Sequence, residues 1–192
     1  MPLLTIYSDL HYGAPHSKDD ILVDDIIREH QEGHVVLTGD IFDLKNTKKN
    51  QLHYYVSKQR KLINALGKDY VFGNHECEKP DSYFLVKEIN NKRVLFCHGH
   101  NLVWPESKIK KWENKRPGKS SWRYLLYRLK HVVGREGKKL KLSKKLGDKC
   151  YDLCREYKCE VIIFGHTHKS YNSIYRGIKI INVPQGKTQI II

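Results

Sequence analysis

The apolar residues of this chain are grouped into short runs, and a polar cluster or a glycine follows most of them at once. Apolar runs of about four to eight residues with such boundaries are typical of buried β-strands. Apolar residues at helical spacing predict helices over residues 18–30 and 48–66, with Gly67 as the C-cap of the second. The same pattern predicts seven strands, at residues 3–8, 34–38, 69–72, 93–97, 161–164, 178–183 and 187–192.

Five of the predicted strands end in polar clusters that contain aspartate, asparagine or histidine. In open α/β sheets, ligands bind at the carboxyl ends of the strands. A single cluster of this kind is typical of a turn, but five of them predict a shared site. The clusters are Asp9-Leu10-His11, Gly39-Asp40-Ile41-Phe42-Asp43, Gly73-Asn74-His75-Glu76, His98-Gly99-His100 and Gly165-His166-Thr167-His168.

The donor groups in these clusters indicate a metal site. They are carboxylates, imidazoles and one amide, with no thiolate, and this set suits Mn, Fe or Zn better than a thiolate-rich structural zinc site. Seven or eight such groups are too many for one ion. They fit two ions that share a bridging carboxylate, as in dinuclear hydrolases.

In order, spacing and strand context, the clusters resemble the motifs of the calcineurin-like metallophosphoesterases: D-x-H, G-D-x-x-D, G-N-H-D/E, H and G-H-x-H. The resemblance runs from residue 3 to about 183, apart from one segment. It implies an α/β fold, namely a two-sheet αββα sandwich with a basic helical insertion. It also implies a metal-dependent phosphoric ester hydrolase. Such an enzyme cleaves a phosphodiester, pyrophosphate or phosphomonoester by in-line attack of a metal-bridging hydroxide.

The resemblance also implies roles for individual residues. Two divalent ions are expected, with Mn²⁺ as the first expectation and Fe or Zn as alternatives. His75 is expected to act on the leaving group, oriented by Asp43. Five further histidines are expected at the surface or behind the ligands: His16, His34, His53, His100 and His131. The first ion is assigned to Asp9, His11 and His168, the second to Asn74, His98 and His166, and the bridge to Asp40.

The net charge of +14 is concentrated between Trp104 and Lys149, where 16 Lys and Arg face four acidic residues. All three tryptophans lie in the same segment. We interpret residues 104–149 as a basic helical insertion into a single domain of residues 1–192, with an amphipathic helix at 120–133. Three functional interpretations of this segment stand beside the simpler one, a solvated loop. They are a lid that recruits an anionic phosphorylated small molecule, a nucleic-acid surface, and contact with an anionic membrane.

The place of this insertion resembles, in part, the UDP-2,3-diacylglucosamine pyrophosphatases, which carry a basic helical cap at the same point. Those enzymes usually have arginine where this chain has His75. Two alternatives to such an enzyme stay open. One is a nucleic-acid-binding protein or nuclease that uses the insertion, and the other is a binding module on the same fold that has lost catalysis. Because every motif residue is present, the sequence favours an enzyme.

Hydropathy and cysteine content bear on the compartment. No apolar run approaches the roughly 20 residues that span a bilayer, and the N-terminus lacks the basic and apolar regions of a signal peptide. We therefore expect a soluble, cytoplasmic protein without a transmembrane segment. The cysteines number five, and we expect buried free thiols. A zinc site at Cys150, Cys154 and Cys159 is the alternative.

Overall fold

The computed structural model of the protein describes residues 3–14, 23–76, 83–114 and 143–192. In these ranges the strands are β1 (Leu4–Ser8), β2 (His34–Leu37), β3 (Phe84–Ile89), β4 (Lys92–Cys97), β5 (Val161–Phe164), β6 (Tyr171–Tyr175), β7 (Ile178–Asn182) and β8 (Gly186–Ile190). The α-helices are α1 (Val23–Glu32), α2 (Leu52–Leu66), α3 (His100–Val103), α4 (Glu106–Glu113) and α5 (Lys144–Glu156). A 3₁₀ turn, Gly67–Asp69, follows α2.

The strands form two sheets, with the orders β2-β1-β8 and β3-β4-β5-β7-β6. Strands β1 and β2 are parallel, and so are β4, β5 and β7. Register places Tyr7 opposite Leu37, and Cys97 opposite Phe164. The carboxyl ends of neighbouring parallel strands therefore lie side by side, and the residues that follow them meet at one edge of each sheet.

Alternate residues of each strand face different layers, as the two-residue period of a β-strand requires. Each large aliphatic side chain buried in this way contributes about 1.5–3 kcal/mol of hydrophobic free energy. The resulting order of layers is α-β-β-α, which confirms the predicted fold class. Between the sheets lie Ile6, Val36, Phe96 and Ile163; against α1 and α2 lie Tyr7, Val35 and Leu37; against α5 lie Leu95, Ile162 and Ile180.

Six of the seven predicted strands are confirmed, with ends shifted by at most two residues. The prediction of a strand at residues 69–72 was wrong. Tyr70 makes only an isolated parallel bridge to Leu37, after the 3₁₀ turn. The physical reason lies just beyond it, where the backbone of Gly73 approaches Gly39 so closely that a Cβ on Gly39 would lie 2.7 Å from the nitrogen of Gly73. The chain leaves the ladder there to enter the site.

The apolar pattern of the sequence does not predict strands β3 and β6. Both are edge strands of the five-stranded sheet. Side chains in β6 alternate between partly buried and exposed, and most of β3 is only partly buried. An edge strand covered on fewer sides tolerates polar residues, so its sequence carries a weaker apolar signal.

The predicted helices are confirmed where the structure describes them. The first is α1, and the part of its prediction before Val23 lies outside the described residues. The second begins at Leu52, four residues later than predicted, and ends at the predicted C-cap Gly67, whose N–H donates to the carbonyl of Ile63.

Only the two ends of the basic segment lie in the described ranges. Helix α4 stands at its start, while the helix predicted at 120–133 lies outside the described residues. The last residues of the segment form the beginning of α5. There Leu146 is buried in the same cluster as Cys150 and Cys154. This end of the segment therefore belongs to the packed frame.

Four of the five cysteines are described, and all four are free and buried: Cys97, Cys150, Cys154 and Cys159. Burial raises the pKa of the Cys150 and Cys154 thiols to about 12, so both stay protonated at neutral pH. The groups of metal-capable side chains found among the described residues include no cysteine, which disfavours the zinc alternative at 150–159. In the same ranges, no helix has the length and apolar character needed to cross a membrane.

Candidate metal centre

Side chains from five separate segments converge where the strands end. The first group comprises Asp9 and His11, which follow β1, and His168, which follows β5. The Nε2 atom of His168 lies 3.4 Å from Oδ1 of Asp9. The Nε2 atom of His11 lies 3.9 Å from the same oxygen and 3.2 Å from Nε2 of His168. Three potential ligand atoms thus face a common point.

A second group is centred on Asp40, which follows β2. Its Oδ2 atom lies 3.1 Å from Nε2 of His98, and that nitrogen lies 3.2 Å from Nδ1 of His166. The same Oδ2 lies 4.0 Å from Nε2 of His11 and 4.0 Å from Nε2 of His75. Asp40 therefore stands between the two groups, within reach of both.

Of the seven predicted metal ligands, the structure brings six into these groups. The seventh, Asn74, lies between two residues that touch Asp40. The amide N–H of His75 donates to Oδ1 of Asp40 at 2.7 Å, and Gly73 packs against the Asp40 backbone. The side chain of Asn74 is buried.

Five of these residues have a left-handed backbone conformation, which residues other than glycine rarely adopt. Local strain of this kind persists where the surrounding structure enforces it, and it is concentrated at functional sites. The conformation turns each side chain back towards the strand ends. The φ angles are 54° at Asp9, 54° at His11, 53° at Asp40, 68° at His166 and 57° at His168.

Hydrogen bonds behind the centre orient the donors. Oδ2 of Asp9 accepts from the His166 amide at 2.7 Å and from the Ser8 hydroxyl at 2.5 Å. The Nδ1 atom of His98 lies 2.7 Å from the carbonyl of Thr38, so it donates there and its other ring nitrogen, Nε2, faces Asp40. Metal-binding histidines are held in this way in proteins, through the ring nitrogen that does not bind the ion.

Several polar atoms at the centre are buried without a partner among the described residues: Oδ1 of Asp9, Nδ1 of His11, and both Oδ1 and Nδ2 of Asn74. Buried polar atoms are normally paired, because an unpaired one costs free energy. Carboxylate and amide oxygens that lack a donor, beside imidazole nitrogens, are the complement of a divalent cation. The residues therefore fit the metal ions that the motifs predict.

The pKa values of the carboxylates and histidines at the centre also favour the binding of cations. Burial and the nearby His75 lower the pKa of His11 to about 4, so its imidazole is neutral and can donate a lone pair. Although burial opposes ionisation, His98 holds the pKa of both Asp9 and Asp40 below its usual range. Burial also opposes the charge of His98, but Asp40 and Asp9 raise its pKa to about 9. The carboxylates thus create a negative potential that attracts cations.

His75 and Asp43 form a pair beside the two groups. The Nδ1 atom of His75 lies 2.7 Å from Oδ1 of Asp43. The side-chain Nδ2 of Asn46 donates to both oxygens of Asp43, at 2.8 and 3.0 Å. Burial opposes protonation of His75, but Asp43 and Asp40 raise its pKa. The imidazole is held with Nε2 facing the centre.

Glu76 is a residue whose role the sequence analysis missed. Its carboxylate is buried and accepts from the amides of Ile41, at 2.9 Å, and Gly73, at 2.7 Å, and from the hydroxyl of Tyr70. Burial and Asp40 raise the pKa of Glu76 to about 7. Glu76 therefore ties together the loops that follow β2 and Tyr70.

We expect Glu76→Gln to lower the free energy of unfolding by about 1–3 kcal/mol, because the new amide group places a donor against a buried donor. Urea denaturation of the metal-free protein measures this. Glu32→Gln is the matched control, since Glu32 is exposed on α1. Equal stability of the two variants would show that Glu76 does not join the loops.

Gly165 permits the closest contact between segments in the centre. A Cβ at this position would collide with the Ser8 hydroxyl and with Oδ2 of Asp9, and would lie 3.2 Å from the Cβ of Ser8. The absence of a side chain therefore lets β5 end directly beside the residues that follow β1.

We expect Gly165→Ala to destabilise the protein by about 1–3 kcal/mol and to weaken metal binding, since Asp9 must move. The midpoint of urea unfolding and the metal content after dialysis measure the two effects. Gly33→Ala is the control, because a Cβ there meets only the carbonyl of Glu29 at 3.9 Å. Unchanged metal content in Gly165→Ala would contradict the tight fit around Asp9.

The remaining histidines differ in their surroundings. His100 is buried behind the centre, its ring centroid 5.4 Å from that of His98, and both its ring nitrogens are without a partner among the described residues. Burial and His98 lower the pKa of His100 to about 3. His34 and His53 are exposed, as expected, and His16 and His131 lie outside the described residues.

Comparisons with known proteins bear on the family and the fold. The family described as calcineurin-like phosphoesterase matches residues 3–170. A comparison with curated proteins finds no match. A predicted phosphoesterase from Streptococcus pneumoniae has a similar structure, with a TM-score of 0.51 and 14% identity, over 96% of this chain and 72% of that one. Vacuolar protein sorting 29 from Cryptosporidium parvum has a TM-score of 0.47 and 16% identity, over 96% of this chain and 74% of its own.

Proposed function

The chain belongs to the calcineurin-like phosphoesterase family, and from this premise we propose that it is a dinuclear metal-dependent phosphoesterase. The observation that carries the proposal is the position of Asp40. One of its oxygens lies 3.1 Å from the His98 nitrogen and 4.0 Å from the His11 nitrogen. A carboxylate between two sets of imidazoles is the arrangement that two bridged ions require.

In this proposal two ligand sets hold the ions. Asp9, His11 and His168 hold the first, while His98, His166 and Asn74 hold the second. The unpartnered Oδ1 of Asn74 supports its assignment, because it is a buried oxygen that lacks a donor. When bound, two divalent ions supply a water of lowered pKa and neutralise charge on the phosphoryl oxygens. The oxygen and nitrogen donors suit Mn²⁺, with Fe or Zn as alternatives.

His75 acts on the leaving group. Asp43 fixes its ring through Nδ1, so the opposite nitrogen, Nε2, faces the centre 4.0 Å from Asp40. From this position His75 donates a hydrogen bond or a proton to the oxygen that departs from phosphorus, which general acids do in phosphoester hydrolysis. Asp43 and Asn46 hold the ring in its orientation.

The substrate is an anionic phosphorylated molecule, as the family implies. Within the described part of the basic segment, Lys144 and Lys145 are exposed at the start of α5, and Lys108 is exposed on α4. Of these three, Lys108 contacts a residue beside the centre, with its Nζ atom 3.9 Å from the ring centroid of Trp104, and positive charge beside a site increases the rate at which an anionic substrate arrives. The nucleic-acid and membrane predictions depend on residues outside the described ranges and stay predictions.

A panel of phosphoesters tests the proposal. With added Mn²⁺, the purified protein is assayed on p-nitrophenyl phosphate, bis-p-nitrophenyl phosphate, a nucleoside-diphosphate sugar, and single-stranded DNA and RNA. We expect metal-dependent hydrolysis of at least one ester class, and metal analysis should find two ions per chain. A protein that binds no divalent ion would overturn the proposal. Two bound ions without any turnover would instead favour the binding module that has lost catalysis.

A further inference from the structure

Two tryptophans from the start of the basic segment pack directly on the metal centre. The ring centroid of Trp104 lies 4.8 Å from that of His166, at an interplanar angle of 81°. The ring centroid of Trp112 lies 5.0 Å from that of His75, at 55°. One indole thus touches a proposed metal ligand, and the other touches the proposed leaving-group residue.

The two indoles also contact each other, with ring centroids 5.9 Å apart and an interplanar angle of 70°. We call the pair Trp104 and Trp112 the indole wall. It spans the distance from His166 to His75 and therefore lies beside the residue proposed to act on the leaving group. Both indoles are partly exposed, whereas the aromatic rings of the packed core are buried.

The wall is held in place from both of its ends. The amide of Trp104 donates to the carbonyl of His100 at 2.9 Å, which closes α3. The ammonium of the buried Lys45 donates to the carbonyl of Trp112 at 2.7 Å, which ties α4 to the loop after β2. These contacts fix the wall relative to Asp40 and His75. A rigid aromatic surface of this kind binds with little loss of conformational entropy.

Positive charge accompanies the aromatic surface. The Nζ atom of Lys108 lies 3.9 Å from the ring centroid of Trp104, which is the geometry of a cation–π contact. Aromatic rings beside lysines favour planar groups that carry phosphate, because the rings stack on the planar group while the cations attract the phosphate. A short alkyl ester offers the wall no stacking surface.

We propose that the indole wall of Trp104 and Trp112 is a binding subsite for a planar aromatic group, such as a nucleobase, carried by the phosphoester substrate. The proposal deepens the phosphoesterase function and rests on it. It assigns the substrate to the phosphoesters that carry an aromatic group, of which nucleotides are one biological form. The alternative is that the indoles only pack against His166 and His75.

Two phosphonates that differ in one group test the subsite without any turnover. Binding of phenylphosphonate and methylphosphonate to the Mn²⁺-loaded protein is measured by calorimetry. We expect phenylphosphonate to bind about tenfold more tightly, since stacking on an aromatic side chain contributes at this level. Trp104→Leu or Trp112→Leu should remove most of this preference, measured as the ratio of the two affinities in the same variant. Trp104→Phe should restore part of it.

Tyr151→Leu is the matched control, because it also removes a partly buried aromatic ring. Tyr151 lies on α5, where its ring contacts Arg176, a residue in the turn before β7. This variant should keep the full preference. Equal affinity for the two phosphonates in the wild-type protein would overturn the subsite alone. Failure of both to bind to the Mn²⁺-loaded protein would overturn the phosphoesterase function and, with it, the subsite.

A measurement on the wild-type chain covers the case in which a tryptophan variant does not fold. Phenylphosphonate should quench tryptophan emission, and methylphosphonate should not. Thymidine 5′-monophosphate and a thymidine tetranucleotide are then compared as competitors of phenylphosphonate. Stronger displacement by the mononucleotide supports a small-molecule substrate, and stronger displacement by the tetranucleotide supports the end of a single strand. Equal quenching by both phosphonates would overturn the subsite.

Discussion

Asp40→Asn is expected to abolish the binding of at least one metal ion and to lower turnover by at least about a hundredfold. Asp40 supplies charge and lone pairs to both ligand groups through Oδ2, 3.1 Å from His98 and 4.0 Å from His11. Asparagine has nearly the same shape, and its oxygen can still accept from the His75 amide. The change therefore removes charge without removing packing. Metal ions contribute several kcal/mol to such reactions, and each 1.4 kcal/mol corresponds to about tenfold in rate.

Metal content and hydrolysis rate are measured side by side on the best substrate of the panel. Asp152→Asn is the matched control, because Asp152 is exposed on α5 and the chemical change is the same. Thermal unfolding of the metal-free proteins shows whether Asp40→Asn retains its fold. Two bound ions and a wild-type rate in Asp40→Asn would refute the shared-carboxylate arrangement.

His75→Ala is expected to slow hydrolysis and to leave both metal ions bound. The loss should be about 10²–10⁴-fold for esters with poor leaving groups, and much smaller for p-nitrophenyl esters. The reason is that a good leaving group departs without a proton, whereas an alkoxide needs one. Rates for a series of esters whose leaving groups differ in pKa give the dependence directly.

The partner of His75 offers a second variant. Asp43→Asn should reproduce the same dependence with a smaller loss, because the ring keeps its place but loses the carboxylate 2.7 Å from Nδ1. His53→Ala is the control, since His53 is exposed on α2. Loss of a metal ion in His75→Ala would identify His75 as a ligand, a role that its 4.0 Å distance from Asp40 permits. A uniform loss across the ester series would exclude the leaving-group role.

Much of the fold could be predicted from the sequence because its signals are local. Strands such as β5 are buried on both faces, so their sequences are continuous apolar runs. The proposed metal donors follow these runs within a few residues, as His166 follows Phe164. A motif of this kind needs only the strand end to position it, and its residue types alone indicate the chemistry.

The features that the sequence did not reveal depend on contacts between segments far apart in the chain. Edge strands β3 and β6 are stabilised by their neighbours more than by their own apolar residues. In the sequence nothing distinguishes Glu76 from the other acidic residues. Its role follows from the hydrogen bonds that it accepts from the amides of Ile41 and Gly73. The sequence places the tryptophans in a basic insertion, and only the packing of α3 and α4 brings Trp104 onto His166 and Trp112 onto His75.

The strands and helices of the α/β frame, the order of the motifs and the donor types at the centre are predictable from the sequence, and the resemblance to the family implies the order of the layers. How those donors meet is a property of the tertiary structure. Asp9 and His166 are separated by 157 positions in the sequence, yet the amide of His166 donates to the Asp9 carboxylate at 2.7 Å. This contact requires parallel strands in two packed sheets, a glycine at 165 and left-handed backbone at both residues. No local pattern encodes such a contact, because its free energy comes from burying distant segments against one another.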